Sequence, residues 1–432
     1  MRMSIFVAAF AAAFGLAVSG GAQTLTTLHA FCTLENCADG AAPEKNPLIL
    51  GPAGELVGTT AGPTGTLFRM SPQKDGTYSL KTLFTFCQIT NCPDGRGPNG
   101  SLVRDVDGNF YGVTASGGHV DNGVVYKLSH NPDGRRWKLD VLHVFCATDC
   151  SDGRSPYAGL TYAGASAGLP YDGVSPLFGT TAFGGAQDDG TVYEMLPPTG
   201  ENHSWSEAVI HDFCSDSNCS DGSIPFAELL MDGSGALYGT TIGGGGGNTG
   251  LAGTVFKLTQ GKSGKWSETV LYSFCDDNGC PNGSSPWAGL IMDASGNLYG
   301  EASSGGEAGL GTVFELRLRH HRYEPRTLYA FCKLANCEDG SDPQTTLSMN
   351  SAGTIFGSTS SGGASNAGTL FELSPRGDRY HFSILHSFCT ESDCADGNQP
   401  YAAVTIDPAG KLFGTTIAAG AHNQGTVFEF VP

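Results

Sequence analysis

A motif that returns seven times constrains the fold of this chain more than any other feature of its sequence. Each copy begins with Phe-Cys, carries a second cysteine four or five residues later, and continues with Asp-Gly, or Asn-Gly in one copy, and a proline. The cysteine pairs are Cys32 and Cys37, Cys87 and Cys92, Cys146 and Cys150, Cys214 and Cys219, Cys275 and Cys280, Cys332 and Cys337, and Cys389 and Cys394. The prolines are Pro43, Pro98, Pro156, Pro225, Pro286, Pro343 and Pro400. Such regularity indicates a repeat architecture.

Four short runs rich in β-branched and aromatic residues lie between successive motifs, separated by turn residues. In the fourth unit they cover residues 225–231, 236–241, 253–258 and 266–274. Four strands per unit are typical of a β-propeller blade. The chain also begins with a lone outer strand, at 25–31, and ends with three strands that lack an outer one. We therefore predict an all-β, seven-bladed propeller that is closed by pairing of the N-terminal strand with the last three strands.

The predicted domain limits follow from the same pattern. Residues 1–22 combine Arg2, an apolar run and small residues at Gly20 and Ala22, which is typical of a secretory signal peptide. Residues 23–432 then form a single propeller domain in a secreted or periplasmic protein. The predicted blades are 43–86, 98–145, 156–213, 225–274, 286–331, 343–388 and 400–432, the last completed by 25–31. We interpret an insertion at 163–175, in the third unit, as a tolerated extension of one hairpin.

Cysteine spacing and charge limit the chemistry that the chain can carry. In an oxidising compartment the paired cysteines predict local disulfides. Zinc is the alternative, but each repeat supplies only two cysteines and no histidine at a fixed offset.

The formal charge is −19, which argues against a nucleic acid partner, because phosphate backbones are repelled. Beyond the N-terminal segment, no apolar run has the roughly 20 residues that a membrane span needs. We expect no cofactor, no bound metal, and a monomer.

The repeat unit resembles a known family. The pattern of Leu-Tyr-Gly-Thr-Thr, a glycine-rich loop and Gly-Thr-Val-Phe, as at 236–258 and 411–430, is similar to the GloVer repeat of choice-of-anchor tandem-repeat proteins. Those are exported bacterial proteins, and the resemblance covers essentially the whole predicted mature chain. The resemblance implies an exported location and a repeat fold, but it implies no particular activity.

Strand order predicts that the cysteine loops and the glycine-rich loops share one face of the propeller. The residue after each recurring proline varies, and four of these positions are aromatic: Tyr157, Phe226, Trp287 and Tyr401. On an inner strand they would ring the mouth of the central channel, where aromatic rings suit sugars and other planar ligands. Packing of the same rings between blades is the alternative.

Four basic residues on the same face are further candidates for ligand binding. Arg96 and Arg154, in adjacent repeats, could meet the carboxylates of an acidic glycan, or could simply be solvated. His119 and His422 lie in glycine-rich loops. Other histidines share one slot, three residues before a loop cysteine, with Phe84, Tyr272 and Tyr329, which indicates packing: His29, His143, His211 and His386.

Two carboxylates depart from the repeat and are candidates for catalysis. Glu228 stands where other units have small residues, and Glu301 replaces a recurring threonine. Adjacent blades could bring them together as the acid and base of glycosidic cleavage. Drift of one repeat without functional consequence is the alternative. We read the ring of Asp-Gly pairs, with Asn282 as its one departure, as a set of turns rather than calcium ligands.

These observations favour an exported ligand-binding module, with carbohydrate as the expected ligand and the cysteine-loop face as its binding surface. An extracellular polysaccharide hydrolase or lyase that uses the same face is the second hypothesis. A protein-interaction scaffold is the third.

Overall fold

A computed structural model describes residues 23–44, 47–131, 136–200, 203–245, 252–275 and 279–432. The predicted signal peptide, 1–22, lies outside these residues. The strands of the first three blades and the N-terminal strand are β1 (Thr24–Ala30), β2 (Ile49–Leu50), β3 (Leu56–Thr60), β4 (Thr66–Pro72), β5 (Tyr78–Thr85), β6 (Arg96–Arg104), β7 (Phe110–Ser116), β8 (Val124–His130), β9 (Trp137–Val144), β10 (Leu177–Thr181), β11 (Thr191–Leu196) and β12 (Ser206–Asp212).

The remaining blades follow in chain order. Their strands are β13 (Leu230–Met231), β14 (Leu237–Thr241), β15 (Thr254–Gln260), β16 (Trp266–Ser273), β17 (Ile291–Met292), β18 (Leu298–Ala302), β19 (Thr312–Arg319), β20 (Arg322–Ala330), β21 (Ser341–Pro343), β22 (Ser348–Met349), β23 (Ile355–Ser361), β24 (Thr369–Arg376), β25 (Arg379–Ser387), β26 (Thr405–Ile406), β27 (Leu412–Thr416) and β28 (Thr426–Val431). Short 3₁₀ turns occur at Glu35–Cys37, Ala165–Ala167, Ala335–Cys337 and Ser392–Cys394.

The strands form seven antiparallel sheets, one for each blade, and the predicted seven-bladed propeller is confirmed. Ring closure is also confirmed, because β1 pairs with β28 and completes the sheet of β26, β27 and β28. In the third blade the inner strand is reduced to a bridge between Thr161 and Phe178. The predicted insertion follows that bridge directly. In the sixth blade two short segments, β21 and β22, share the inner position against β23.

Aromatic contacts between neighbouring blades supply much of the core. The phenylalanine that opens each motif follows an outer strand directly and is fully buried, as in Phe86 and Phe274. It packs against the third-strand aromatic of the next blade, for example Phe86 on Tyr126 at 5.1 Å and Phe274 on Phe314 at 5.2 Å between ring centroids. Because the same contact recurs at every junction, one repeated phenylalanine holds the blades in register.

The cysteine loops and the glycine-rich loops lie on one face, as the strand order predicted. In six repeats the second loop cysteine accepts a hydrogen bond from the glycine-rich loop that joins the second and third strands. Gly118 N, for instance, donates to Cys92 O at 2.8 Å, and Gly363 N donates to Cys337 O at 2.9 Å. The hairpins between inner and second strands lie on the opposite face. We call the first surface the cysteine-loop face.

Candidate functional site

The inner strands of all seven blades contribute to one central cavity of 90 Å³. Its lining comes mainly from the variable residue after each proline and from the residue two positions later. The lining residues are Pro47, Gly100, Ser101, Tyr157, Ala158, Gly159, Phe226, Ala227, Glu228, Trp287, Ala288, Gly289, Gln344, Thr346, Tyr401 and Ala403. All four aromatic residues singled out in the sequence therefore face the same space. Its volume suits one ring of a ligand better than a whole drug-sized molecule, which needs roughly 300–1,000 Å³.

Three of the aromatic side chains form a continuous row across the third, fourth and fifth blades. Tyr157 stacks on Phe226 with ring centroids 4.3 Å apart and planes 18° apart. Phe226 meets Trp287 edge to face at 5.0 Å. The row thus combines the two alternatives that the sequence left open, because the rings pack between blades and also line the cavity. Tyr401 of the seventh blade also lines the cavity.

Glu228 projects into the cavity and accepts a hydrogen bond from the hydroxyl of Ser101. The two residues belong to the fourth and second blades, and the intervening third blade presents Gly159 at the corresponding position. Glycine leaves space there, since a Cβ on Gly159 would lie 2.4 Å from Ser101 N. Burial raises the pKa of Glu228 to about 7, and the hydrogen bond from Ser101 opposes that rise. The sequence marked Glu228 but missed Ser101, which occupies the same slot two blades away.

Glu301 lies elsewhere, in the wall between the fifth and sixth blades, and its side chain is fully buried. Its Oε2 accepts hydrogen bonds from Thr345 N at 2.8 Å and Thr345 Oγ1 at 3.3 Å. Its Oε1 has no hydrogen-bond partner among the described residues. Burial raises the pKa of Glu301 well above its usual 4.5, so the neutral form is favoured.

The structure does not bring Glu228 and Glu301 together as an acid and base pair. Each carboxyl has its own partner, Ser101 in one case and Thr345 in the other. A polysaccharide does not reach a side chain with 0% exposure, as in Glu301. The threonines that Glu301 replaces have a structural role, because Thr240 Oγ1 donates to Ala288 O of the next blade at 2.9 Å.

The four basic candidates lie outside the lining of the central cavity. Arg96 pairs with Asp121 at 3.0 Å, and the exposed His119 lies beside them in a surface pocket of the second blade. Arg154 binds Asp188 through two hydrogen bonds, of 3.1 and 2.9 Å, and these hold the pKa of Asp188 below its usual 3.8. Each arginine is thus engaged by an aspartate of its own blade.

His422, the fourth basic candidate, is exposed in the seventh blade. It does not line the pocket of the second blade that holds Arg96 and His119. A role for any of the four in ligand binding stays a prediction.

All seven cysteine pairs form disulfides within their own loops, as predicted. The Asp of the Asp-Gly pair accepts hydrogen bonds from loop amides, for example from Lys333 N to Asp339 at 2.9 Å. The same carboxylate meets the slot residue before the loop: His386 Nε2 lies 2.9 Å from Asp396, and Tyr329 donates to Asp339 at 2.7 Å. The slot that the sequence predicts to be a packing position therefore also carries a hydrogen bond to the loop aspartate, which the sequence pattern does not indicate.

Among the described residues, one cluster of side chains has the spacing of metal ligands: Asp189 with Cys214 and Cys219. Those two sulfurs are bonded to each other, so they offer no thiolate to an ion. Within the same described part of the chain, no helix is long and apolar enough to cross a membrane.

Comparison with known proteins gives one clear result. A family model described as the Gloeobacter/Verrucomicrobia repeat matches residues 12–175 and 251–432, which is most of the chain. The resemblance to the GloVer repeat is thereby confirmed. No curated protein shows a significant match. A repeat propeller with seven disulfides is compatible with an extracellular module, because such bonds persist in oxidising compartments.

Proposed function

Since this chain belongs to the Gloeobacter/Verrucomicrobia repeat family, we propose that it is an exported propeller that binds a carbohydrate at the central cavity of its cysteine-loop face. One observation carries the proposal: seven blades place an aromatic row and several polar groups around a single space. Export rests on the N-terminal segment 1–22 and on the disulfides.

Aromatic faces and polar edges are the two surfaces that a sugar ring needs. The apolar face of a pyranose packs on an aromatic ring, while its hydroxyls require hydrogen-bond partners at the sides. The row of Tyr157, Phe226 and Trp287 supplies the first surface. Glu228, Ser101 and Gln344 supply the second, because they line the same cavity. The small volume favours recognition of a terminal sugar rather than of a long chain.

A glycan array probed with the purified mature protein tests this proposal. We expect binding to at least one class of glycan. Trp287→Ala should weaken that binding about tenfold, since loss of one ring-stacking contact costs about 1.4 kcal/mol. The matched control is Trp137→Ala, because Trp137 packs on His130 at 3.7 Å in the second blade and does not line the cavity. Absence of binding to every glycan, or equal loss in both variants, would contradict the proposal.

A second candidate function, polysaccharide cleavage, is favoured by one observation only. A carboxyl group with a pKa of about 7 inside a cavity is a typical general acid or base. Glycoside hydrolysis ordinarily needs two carboxyl groups, however, and Glu228 contributes the one carboxyl among the described lining residues. Incubation of wild type and Glu228→Gln with mixed polysaccharides decides the matter: equal product release by both would remove Glu228 from any such mechanism.

A further inference from the structure

The insertion of the third blade is anchored at both of its ends on the face opposite the cysteine loops. Its 3₁₀ turn, Ala165–Ala167, packs against β13 of the fourth blade. Further along, Tyr171 is fully buried and forms a parallel bridge with Asp105 of the second blade. Tyr171 N donates to Arg104 O at 3.2 Å, and Val106 N donates to Tyr171 O at 2.9 Å. The insertion therefore spans from the fourth blade to the second as a fixed part of the fold.

A cavity of 540 Å³ lies between this insertion and the first two blades. Ile49 and Leu50 form the wall on the first blade, Leu102 and Val103 on the second, and Leu169 and Pro170 on the insertion. Its volume is in the range of small-molecule sites, roughly 300–1,000 Å³, whereas the central cavity is far below it. Six of the seven blades lack such an insertion, so the cavity is specific to this part of the ring.

The polar side chains that line the cavity already have hydrogen-bond or ion-pair partners within the protein. Both oxygens of Asp105 accept hydrogen bonds, from Asn109 and Tyr111 among others, at 2.8 to 3.2 Å. Arg104 pairs with Glu55 at 3.3 Å, and the Tyr162 hydroxyl donates to Leu169 O at 2.6 Å. The charges of Arg104 and Asp105 are thus already engaged within the protein, so the lining favours a neutral ligand over a charged one.

Apolar side chains at the rim of the cavity are exposed to solvent. Val106 is 63% exposed and Leu169 is 58% exposed, although both belong to segments fixed by hydrogen bonds. Covering such surface is favourable because apolar groups leave water. From the volume, the satisfied polar groups and the exposed rim, we propose that this cavity binds a neutral, largely apolar small molecule. The proposal is independent of carbohydrate binding on the other face.

Titration with N-phenyl-1-naphthylamine, a neutral apolar probe whose fluorescence rises in apolar sites, tests the proposal on the intact protein. We expect saturable binding of one probe per chain. Leu169→Glu should raise the Kd of the probe about tenfold or more, because it places a charge in the apolar wall. Leu169→Met should retain binding, since it keeps the wall apolar.

Two control variants identify the site that the probe occupies. Val174→Glu introduces the same charge on the same insertion, at a residue that is 71% exposed and does not line the cavity, so it should leave the Kd unchanged. Trp287→Ala should also leave it unchanged, because Trp287 lies in the central cavity. Thermal melts confirm that each variant is folded. No saturable binding, binding unaffected by Leu169→Glu, or binding lost in Trp287→Ala would overturn the proposal.

Discussion

The residue three positions before the first cysteine of each loop, which we call the slot residue, determines whether the loop aspartate receives a side-chain hydrogen bond from the preceding strand. In most repeats a histidine or tyrosine there meets the loop aspartate, as Tyr329 meets Asp339 at 2.7 Å. The slot of the first blade holds Phe84, which cannot donate, and both carboxyl oxygens of Asp94 accept from Cys87 N, at 3.2 and 3.1 Å. Burial raises the pKa of Asp94, and the hydrogen bonds from the backbone do not reverse that rise.

Phe84→Tyr should therefore stabilise the protein. The new hydroxyl reaches the position from which Tyr329 donates in the fifth blade, and a net hydrogen bond contributes about 1 kcal/mol. Urea unfolding at neutral pH measures the change. Tyr329→Phe is the reciprocal control and should lose a similar amount. If neither variant changes the free energy of unfolding, the slot residue acts through packing alone.

Glu228 should make stability depend on pH. Its folded-state pKa of about 7 lies above its ordinary 4.5, so the folded state holds a proton that the unfolded chain releases between these values. The free energy of unfolding contributed by this group is therefore full below pH 4.5 and is lost as the pH rises through about 7. Glu228→Gln cannot ionise and lacks this decline.

Urea titrations of wild type and Glu228→Gln, from about pH 4 to about pH 8, measure that difference. The advantage of the variant over wild type should grow with pH and level off above about 7. Glu391→Gln, at an exposed site in a cysteine loop, serves as the control for loss of a surface carboxylate. A pH-independent difference between Glu228→Gln and wild type would contradict the prediction.

At the scale of elements, each disulfide closes a short loop between two blades. Replacing Cys87 and Cys92 together with serine should cost about 2 kcal/mol or less, because closing a loop of about six residues restricts the unfolded chain only modestly. Retention of the native fold with a slightly lower urea midpoint is the expected result. Collapse of the whole propeller would instead mean that the loop, rather than the aromatic junction at Phe86, holds the first two blades together.

The strands and turns were predictable from the sequence because the same pattern of residues recurs in all seven repeats. Turn residues, β-branched runs and the recurring Phe-Cys position marked strands and junctions, and the unmatched strand at 25–31 predicted closure. The site was predictable only in part. Tyr157, Phe226 and Trp287 share a slot in the repeat, and the predicted ring brings that slot to one axis. The bond from Ser101 to Glu228 skips a blade, and a linear repeat gives no sign of such a contact.

The predicted approach of Glu228 to Glu301 rested on their lying in neighbouring repeats. Adjacent blades bring equivalent positions together, whereas Glu228 and Glu301 occupy different positions in their units. Glu228 lies just before the inner strand β13, at the cavity, and Glu301 lies on β18 in a buried wall. Being in neighbouring repeats was therefore not enough to pair them. The insertion at 163–175 had no repeat partner for comparison, so its cavity could be recognised only in three dimensions.

At the scale of the whole molecule, the pairing of β1 with β28 joins the two ends of the chain and completes the seventh blade. Six partner pairs join the two strands, from Thr24 with Val431 to Ala30 with Thr426. Leu25 and Leu28 of β1 also pack into the clusters at the two sides of the seventh blade. A chain that begins at Cys32 lacks all of these contacts, and β28 becomes an open edge strand that tends to associate with other chains.

We predict that this truncation lowers the melting temperature and promotes oligomers, as measured by calorimetry and by light scattering after gel filtration. A synthetic peptide of residues 23–31 should bind the open edge and restore the melting temperature in a concentration-dependent way, because a ligand of the folded state stabilises it by mass action. A scrambled peptide is the control. An unchanged melting temperature in the truncated chain would show that blade junctions alone keep the ring closed, and rescue by both peptides equally would show that strand register does not matter at the closure.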